Sequence, residues 1–133
     1  MNKKLQDQLI EKAVEAAKKS YAPYSKLHVG AALLVAGKKR IITGVNVENA
    51  SYGLTICAER AALAAAVSAG YRRFEAIAVA VSGKKSVVPC GACLQALAEF
   101  CKPDLIVFAA TAARPAKVKI FKLRDLLPYV FNR

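Results

Sequence analysis

The chain has 133 residues, of which 56% are hydrophobic and 23% are charged. This length and balance predict one folded domain over residues 1–133 and exclude a disordered chain. Lys and Arg number 21 against 9 Asp and Glu, a formal net charge of +12. The basic residues form small groups without interleaved aromatic residues, so we favour a solvated basic surface over a nucleic-acid groove.

Neither the N-terminal residues nor the longest apolar run, residues 105–113, has the pattern of a targeting or membrane segment. The first lacks an apolar stretch of signal-peptide length, and the second is far shorter than a bilayer span. We therefore expect no membrane contact, a cytoplasmic location and reduced thiols.

The first half of the chain predicts a helix followed by a hairpin. Residues 3–19 place apolar side chains at steps of four, which is typical of an amphipathic helix. Apolar runs over residues 27–36 and 40–47 flank Gly37-Lys38-Lys39 and predict two strands joined by a turn. Thr55 is the predicted N-cap of a second helix that runs to about Gly70.

This second helix is apolar almost all round, so we expect it to lie buried between other elements. A strand at 76–81 follows, then a helix from about Gly91 to Phe100. Strands at 105–110 and 117–123 precede a short helix that begins at Leu123 or Arg124. The order α-β-β-α-β-α-β-β-α predicts an α/β layered domain with about five strands.

Three cysteines lie at the predicted starts of two helices: Cys57 at one, and Cys90 and Cys93 at the other. Helix N-termini favour thiolate over thiol, and Cys90 and Cys93 are one turn apart. Three thiolates without a fourth protein ligand predict an open zinc site, the arrangement used in catalysis. A redox pair or simple burial of Cys90 and Cys93 is the alternative.

The remaining candidates are an acid, a fourth cysteine and a single histidine. Glu59, close to Cys57, can exchange protons with a water on the metal, or it can simply complement the helix dipole. Cys101 lies about 12 Å beyond Cys93 along a helix, too far to bind the same ion. We expect His28, in the first strand, to be structural.

The chain resembles the zinc-dependent cytidine/deoxycytidine deaminases in their short, three-cysteine form. The stretches that carry the resemblance are Tyr24-Ser25-Lys26-Leu27-His28-Val29-Gly30-Ala31-Ala32, Gly44-Val45-Asn46-Val47-Glu48-Asn49-Ala50-Ser51-Tyr52-Gly53, Cys57-Ala58-Glu59-Arg60, Pro89-Cys90-Gly91-Ala92-Cys93 and Leu126-Leu127-Pro128 with Phe131. It implies a three-layer α-β-α fold with a mixed sheet, and a homotetramer.

The resemblance also implies the reaction, with one Zn²⁺ per chain on Cys57, Cys90 and Cys93. Zinc-bound hydroxide attacks C4 of free cytidine or deoxycytidine, Glu59 shuttles the proton, and ammonia leaves, a step of pyrimidine salvage.

Further roles follow from the same resemblance. Asn46 and Glu48 bind the ribose 3′-hydroxyl. The Ala58 N–H meets O2 of the base, and the Val88 carbonyl meets its amino group. The resemblance also implies that Leu27 and Phe131 of a neighbouring subunit contact the substrate. It further implies that Arg60 and Gln95 support the cysteines that bind the metal.

Two positions depart from the family pattern. Leu27 replaces a common aromatic residue that packs on the base, and Leu94 replaces a common arginine beside the thiolates. The alternatives are a deaminase of polynucleotides or of a blasticidin-like compound, or a non-catalytic zinc or nucleoside-binding module. The pair Asn46 and Glu48 favours a free nucleoside, because a polynucleotide continues through the 3′ oxygen.

Overall fold

The chain folds around a five-stranded sheet in a computed structural model that describes residues 1–133. The strands are β1 Val29–Val35, β2 Ile41–Val45, β3 Phe74–Val81, β4 Ile106–Thr111 and β5 Lys119–Lys122. Their spatial order is β2-β1-β3-β4-β5. Strands β3 and β4 are parallel, and all other neighbours are antiparallel. The sheet is therefore mixed, as predicted.

Helices cover both faces of this sheet. They are α1 Lys3–Ala17, α2 Ala58–Ser68, α3 Gly91–Phe100 and α4 Leu123–Leu126. Successive strand residues point to opposite faces, so each strand contributes to two separate cores. In β1, Leu34 packs with the α1 side chains, whereas Leu33 packs with those of α2 and α3. The three-layer α-β-α architecture is confirmed.

Two glycines allow helices to approach the sheet closely. A Cβ on Gly30 in β1 would lie 2.1 Å from the Ala13 carbonyl oxygen of α1. A Cβ on Gly44 in β2 would lie 2.2 Å from the Ala62 nitrogen and 2.6 Å from the Ala58 carbonyl oxygen of α2. Any side chain at either position would therefore push a helix away from the sheet.

All the predicted elements form, with ends shifted by a residue or two, but Thr55 as the cap of α2 is wrong. Cys57 is the N-cap, and Thr55 ends a short 3₁₀ turn at Tyr52–Leu54. The next residue, Ile56, exchanges two backbone hydrogen bonds of 2.9 Å with Val47. This pairing keeps the chain extended, so the helix begins only at Ala58.

The expectation that α2 lies buried between other elements holds for only one side of the helix within the single chain. Ala64 and Ala65 are exposed, because the sheet covers one side of the helix and no other element covers the opposite side. None of the helices has the length and apolar character that crossing a bilayer requires.

Candidate active site

Two helices begin at the three predicted metal ligands. Cys57 is the N-cap of α2, Cys90 is the N-cap of α3, and Cys93 lies in the first turn of α3. Both N-caps have extended backbone angles, and their carbonyl oxygens accept the first helical hydrogen bonds, from Ala61 and Leu94. The positive ends of two helix dipoles therefore meet at the sulfurs and favour their ionised form.

The three sulfurs have the spacing that a zinc ion needs. All three Sγ atoms lie within 4.8 Å of one another, and those of Cys90 and Cys93 are 3.7 Å apart. Zn–S bonds of about 2.3 Å place sulfurs about 3.8 Å apart in a tetrahedral site. The fourth cysteine, Cys101, follows the end of α3 and packs against the core, where burial raises its pKa to about 12. Three ligands leave one position open.

The thiols differ in their surroundings. Burial raises the pKa of Cys93, and the nearby Glu59 carboxylate raises it further. Partial burial opposes ionisation of Cys90, but hydrogen bonds from the Cys93 and Ala92 backbone outweigh it and lower the pKa of this thiol. A dication among the three sulfurs favours the thiolate in each, because it supplies the charge that burial otherwise penalises.

Glu59 lies in the first turn of α2 and is buried, with 6% of its surface exposed. Burial raises the pKa of its carboxyl group, while its own backbone N–H, the Arg60 charge and the Cys93 thiol act in the opposite direction. A carboxyl group with a raised pKa can both accept and return a proton near neutral pH. This environment suits an acid–base group better than a simple helix-dipole partner.

Arg60 supplies positive charge to the cysteines. Its Nη2 donates to the Cys57 sulfur at 3.5 Å, and hydrogen bonds to Cys57 and Cys93 raise the pKa of the guanidinium. Its Nε is buried without a partner. Leu94, at the position where the family often has an arginine, is buried in the core between α2 and α3 and contributes no charge.

The predicted sugar-binding residues lie at the end of β2 and contact the segment before β1. Asn46 is buried; its Oδ1 accepts from the Val29 N–H at 2.9 Å, and its Nδ2 donates to the Leu27 carbonyl at 2.8 Å. Glu48 Oε1 accepts from the Tyr24 and Ser25 N–H groups at 3.0 and 3.1 Å. The Asn46 and Glu48 side chains therefore both support the segment that carries Leu27, the predicted base-packing residue.

The C-terminal tail is attached to α3 through Gln95. The Gln95 amide donates to the Phe131 carbonyl at 3.1 Å and accepts from the Phe131 N–H at 3.2 Å. We predicted that Gln95 supports the cysteines, but side chains two residues apart, such as Cys93 and Gln95, do not share a helix face. The Phe131 side chain is 73% exposed and points away from its own core.

The other predicted residues lie next to the cysteines in the chain. Ala58 is buried at the first position of α2, where its N–H has no partner within the helix. Val88 is exposed just before Cys90. His28 Nδ1 shares a 2.5 Å hydrogen bond with Ser20 Oγ, a contact that fits the structural role predicted for it.

Sequence reasoning assigned no role to Ser25, although its hydroxyl contacts Glu48. The partner of Gln95 was also missed, because 36 residues separate it from Phe131 and no local pattern links them.

Comparison with known proteins agrees with this geometry. Residues 3–109 match the family model described as the cytidine and deoxycytidylate deaminase zinc-binding region. A cytidine deaminase from Halalkalibacterium halodurans is 45% identical over 124 residues, which cover 93% of this chain and 92% of the relative.

Two solved structures are also similar. The cytidine deaminase from Burkholderia pseudomallei superposes with a TM-score of 0.87 at 45% identity, covering 98% of this chain and 100% of the other. The cytidine deaminase from Mycobacterium tuberculosis gives a TM-score of 0.81 at 40% identity, covering 96% and 97%.

The family model covers most of the chain and includes both helix starts that carry the cysteines. The three clustered sulfurs are suitable ligands for zinc, the metal that this family binds. The chain belongs to the cytidine and deoxycytidylate deaminase family and is a zinc-dependent hydrolase of that family.

Proposed function

We propose that this enzyme hydrolyses free cytidine, deoxycytidine or both to the uracil nucleoside and ammonia, a reaction of pyrimidine salvage. The observation that carries the proposal is the buried Glu59 beside three sulfurs within 4.8 Å of one another. When bound there, zinc supplies a Lewis acid that lowers the pKa of water.

Glu59 then moves the protons. It takes one proton from the attacking water and delivers it to N3 of the pyrimidine while the water oxygen bonds to C4. Glu59 next takes the remaining proton from the new C4 hydroxyl and gives it to the amino group, so that the C4–N bond breaks, ammonia leaves and C4 becomes the carbonyl of uracil. Burial supports this role, because it raises the pKa of Glu59 towards the range in which a carboxyl group exchanges protons readily.

Other groups hold the substrate. The Ala58 N–H faces O2 of the base, the Val88 carbonyl accepts from the amino group, and Leu27 packs on the ring. Asn46 and Glu48 bind the 3′-hydroxyl of the sugar. Arg60, 3.5 Å from the Cys57 sulfur, offsets the negative charge of three thiolates on one dication.

The direct test is an ultraviolet assay of the purified, zinc-loaded protein with cytidine and deoxycytidine. We expect the cytosine absorbance band to disappear as uracil forms, and no turnover of either nucleoside would refute the proposal. Single-stranded DNA containing cytosine and blasticidin S are the comparison substrates. Faster turnover of either one would transfer the assignment to that substrate class.

We also propose a homotetramer in which Phe131 of one subunit completes the site of another. Support comes from large apolar side chains that are exposed in the single chain, including Tyr52, Leu54, Tyr129 and Phe131, and from the uncovered alanine face of α2. A subunit interface would bury such side chains. Four free cysteines agree with a reducing cytoplasm, where we place the enzyme.

Subunit complementation tests this arrangement. Glu59→Gln and Phe131→Ala should each form weakly active assemblies when purified alone. Mixed assemblies should regain activity, because some sites then combine an intact Glu59 with an intact Phe131 from the neighbour. A monomer by analytical ultracentrifugation, or no gain on mixing, would contradict the shared site.

A further inference from the structure

The segment between α1 and β1 has an unusual backbone conformation next to the proposed substrate site. Lys26 has a φ of 62°, and it is the one residue other than glycine with positive φ. This left-handed conformation is unfavourable for a lysine and persists only where surrounding contacts impose it. Lys26 precedes Leu27, so whatever imposes the turn also sets the position of the base-packing side chain.

The Lys26 N–H donates to the Ala22 carbonyl at 3.1 Å, and the other contacts that hold this turn converge on Ser25. Its hydroxyl donates to Glu48 Oε2, and its Oγ accepts from the Leu27 N–H at 3.0 Å. The Ser25 N–H adds a bond to Glu48 Oε1 at 3.1 Å. One serine therefore connects the carboxylate at the end of β2 to the residue that faces the base, across the turn at Lys26.

These contacts leave Glu48 with little free acceptor capacity. An ionised carboxylate offers about four lone-pair positions, two on each oxygen. Oε1 is filled by the Tyr24 and Ser25 N–H groups, and Oε2 holds the Ser25 hydroxyl. The Ser25 hydroxyl, followed by the Ser25 N–H, lowers the pKa of Glu48, so the group remains an acceptor at neutral pH. One acceptor position remains, on the oxygen that Ser25 holds.

We propose that Ser25 is a positioning residue that presents the last free lone pair of Glu48 to a single hydroxyl donor while it fixes Leu27 against the base. The proposal rests on the sugar-binding role of Glu48 given above. It deepens that role, because the site then selects nucleosides with a free 3′-hydroxyl. A nucleoside 3′-phosphate carries negative charge, which the ionised Glu48 carboxylate repels, so the site rejects it.

The test compares two substrates that differ in one atom, cytidine and 3′-deoxycytidine. For Ser25→Ala we expect kcat/KM on cytidine to fall about 10- to 100-fold, the loss typical of a misplaced hydrogen bond to a charged group. On 3′-deoxycytidine, which has no donor for Glu48, the same variant should show only the loss caused by a displaced Leu27, which both substrates share and which we expect to be less than about 3-fold. Ser25→Thr keeps the hydroxyl and should recover most of the activity on cytidine.

Controls separate this proposal from its foundation. Lys38→Ala, at the exposed turn between β1 and β2, should change neither substrate's rate. Glu48→Gln should also penalise cytidine more than 3′-deoxycytidine. If Glu48→Gln penalises cytidine more than 3′-deoxycytidine and Ser25→Ala does not, the proposed role of Ser25 is refuted while the sugar-binding role of Glu48 stands.

If Glu48→Gln affects both substrates equally, the sugar-binding role is refuted, and the role of Ser25 with it. Thermal unfolding checks that each variant folds. Ser25→Cys, which keeps the size of the side chain with a much weaker donor, replaces Ser25→Ala if the alanine variant does not fold, and the same two outcomes decide. An equal loss on both substrates would again overturn the proposal.

Discussion

The two sides of the site are built differently. The cysteine side (Cys57, Cys90 and Cys93 with Glu59) lies within the first turns of two helices, so helix geometry sets the spacing within each helix start, and the packing of α2 beside α3 sets the rest. The loop side (residues 24–29 with Asn46 and Glu48) is held by side-chain hydrogen bonds between partners 17 to 24 residues apart. The proposed metal ligands and proton carrier thus lie at helix starts, whereas the proposed substrate contacts depend on strand register.

The largest expected effect comes from a variant that removes the chemistry of the cysteine side without changing its structure. Glu59→Gln keeps the size and burial of the side chain but removes the proton carrier, so we expect kcat to fall about 10²- to 10⁴-fold. Zinc content, measured by mass spectrometry of the metal, should stay near one per chain. Glu75→Gln, on the exposed side of β3, is the matched control with unchanged kcat. More than a tenth of normal activity in Glu59→Gln would rule out the proton shuttle.

The second prediction separates the cysteine side from the rest of the fold. Gly44→Ala forces a Cβ against the Ala58 and Ala62 backbone and should cost about 1–3 kcal/mol of unfolding free energy. Because that pressure acts on the first turn of α2, zinc affinity should also fall, about 10-fold.

Gly30→Ala is the informative comparison, because its Cβ meets α1 and not α2. It should cost similar stability, measured by denaturant unfolding, with zinc affinity preserved. Gly53→Ala has nothing within 4 Å and should change stability by less than about 0.5 kcal/mol. Equal loss of zinc affinity in the Gly44 and Gly30 variants would show that the metal site depends on global stability alone.

The third prediction breaks the loop side. Asn46→Ala leaves the Leu27 carbonyl and the Val29 N–H without their partner, at a cost of about 1–3 kcal/mol. The KM for cytidine should rise, because the variant loses both the proposed sugar contact of Asn46 and its support of Leu27, whereas zinc content should not change. Zinc loss in this variant, by the same metal analysis, would mean that the two sides are not independent.

The smallest effect concerns the ionisation of Glu48. Hydrogen bonds from Ser25 lower its pKa in the folded protein, so its ionised form stabilises the loop above the unfolded value of about 4.5. This contribution is lost as the pH falls through the lower folded pKa. Carboxyl NMR titration should show a depressed pKa that returns towards the ordinary value in Ser25→Ala, and an unchanged pKa would contradict the contact.

The sequence alone identified the residues of the cysteine side and their spacing within each helix start, whereas the approach of α2 to α3 that brings Cys57 to the other two cysteines is tertiary. Cys57 and Glu59 at one helix start, and Cys90 and Cys93 one turn apart at another, carry their geometry in their spacing, because helix geometry is local. The sheet of five strands followed from apolar patterns over short windows. The family resemblance rested on these residues and on motifs outside the cysteine side, including Asn46-Val47-Glu48-Asn49, and was confirmed by the comparisons.

Only the tertiary structure decided the loop side and the ends of the elements. The pairing of Ile56 with Val47 moved the cap of α2 from Thr55 to Cys57, and the contact of Ser25 with Glu48 depends on how β1 and β2 meet. Gln95 likewise forms its hydrogen bonds with the Phe131 backbone and not with the cysteines. Each of these is a hydrogen bond between groups distant in sequence, so its partner is determined by the packed fold and not by any local pattern.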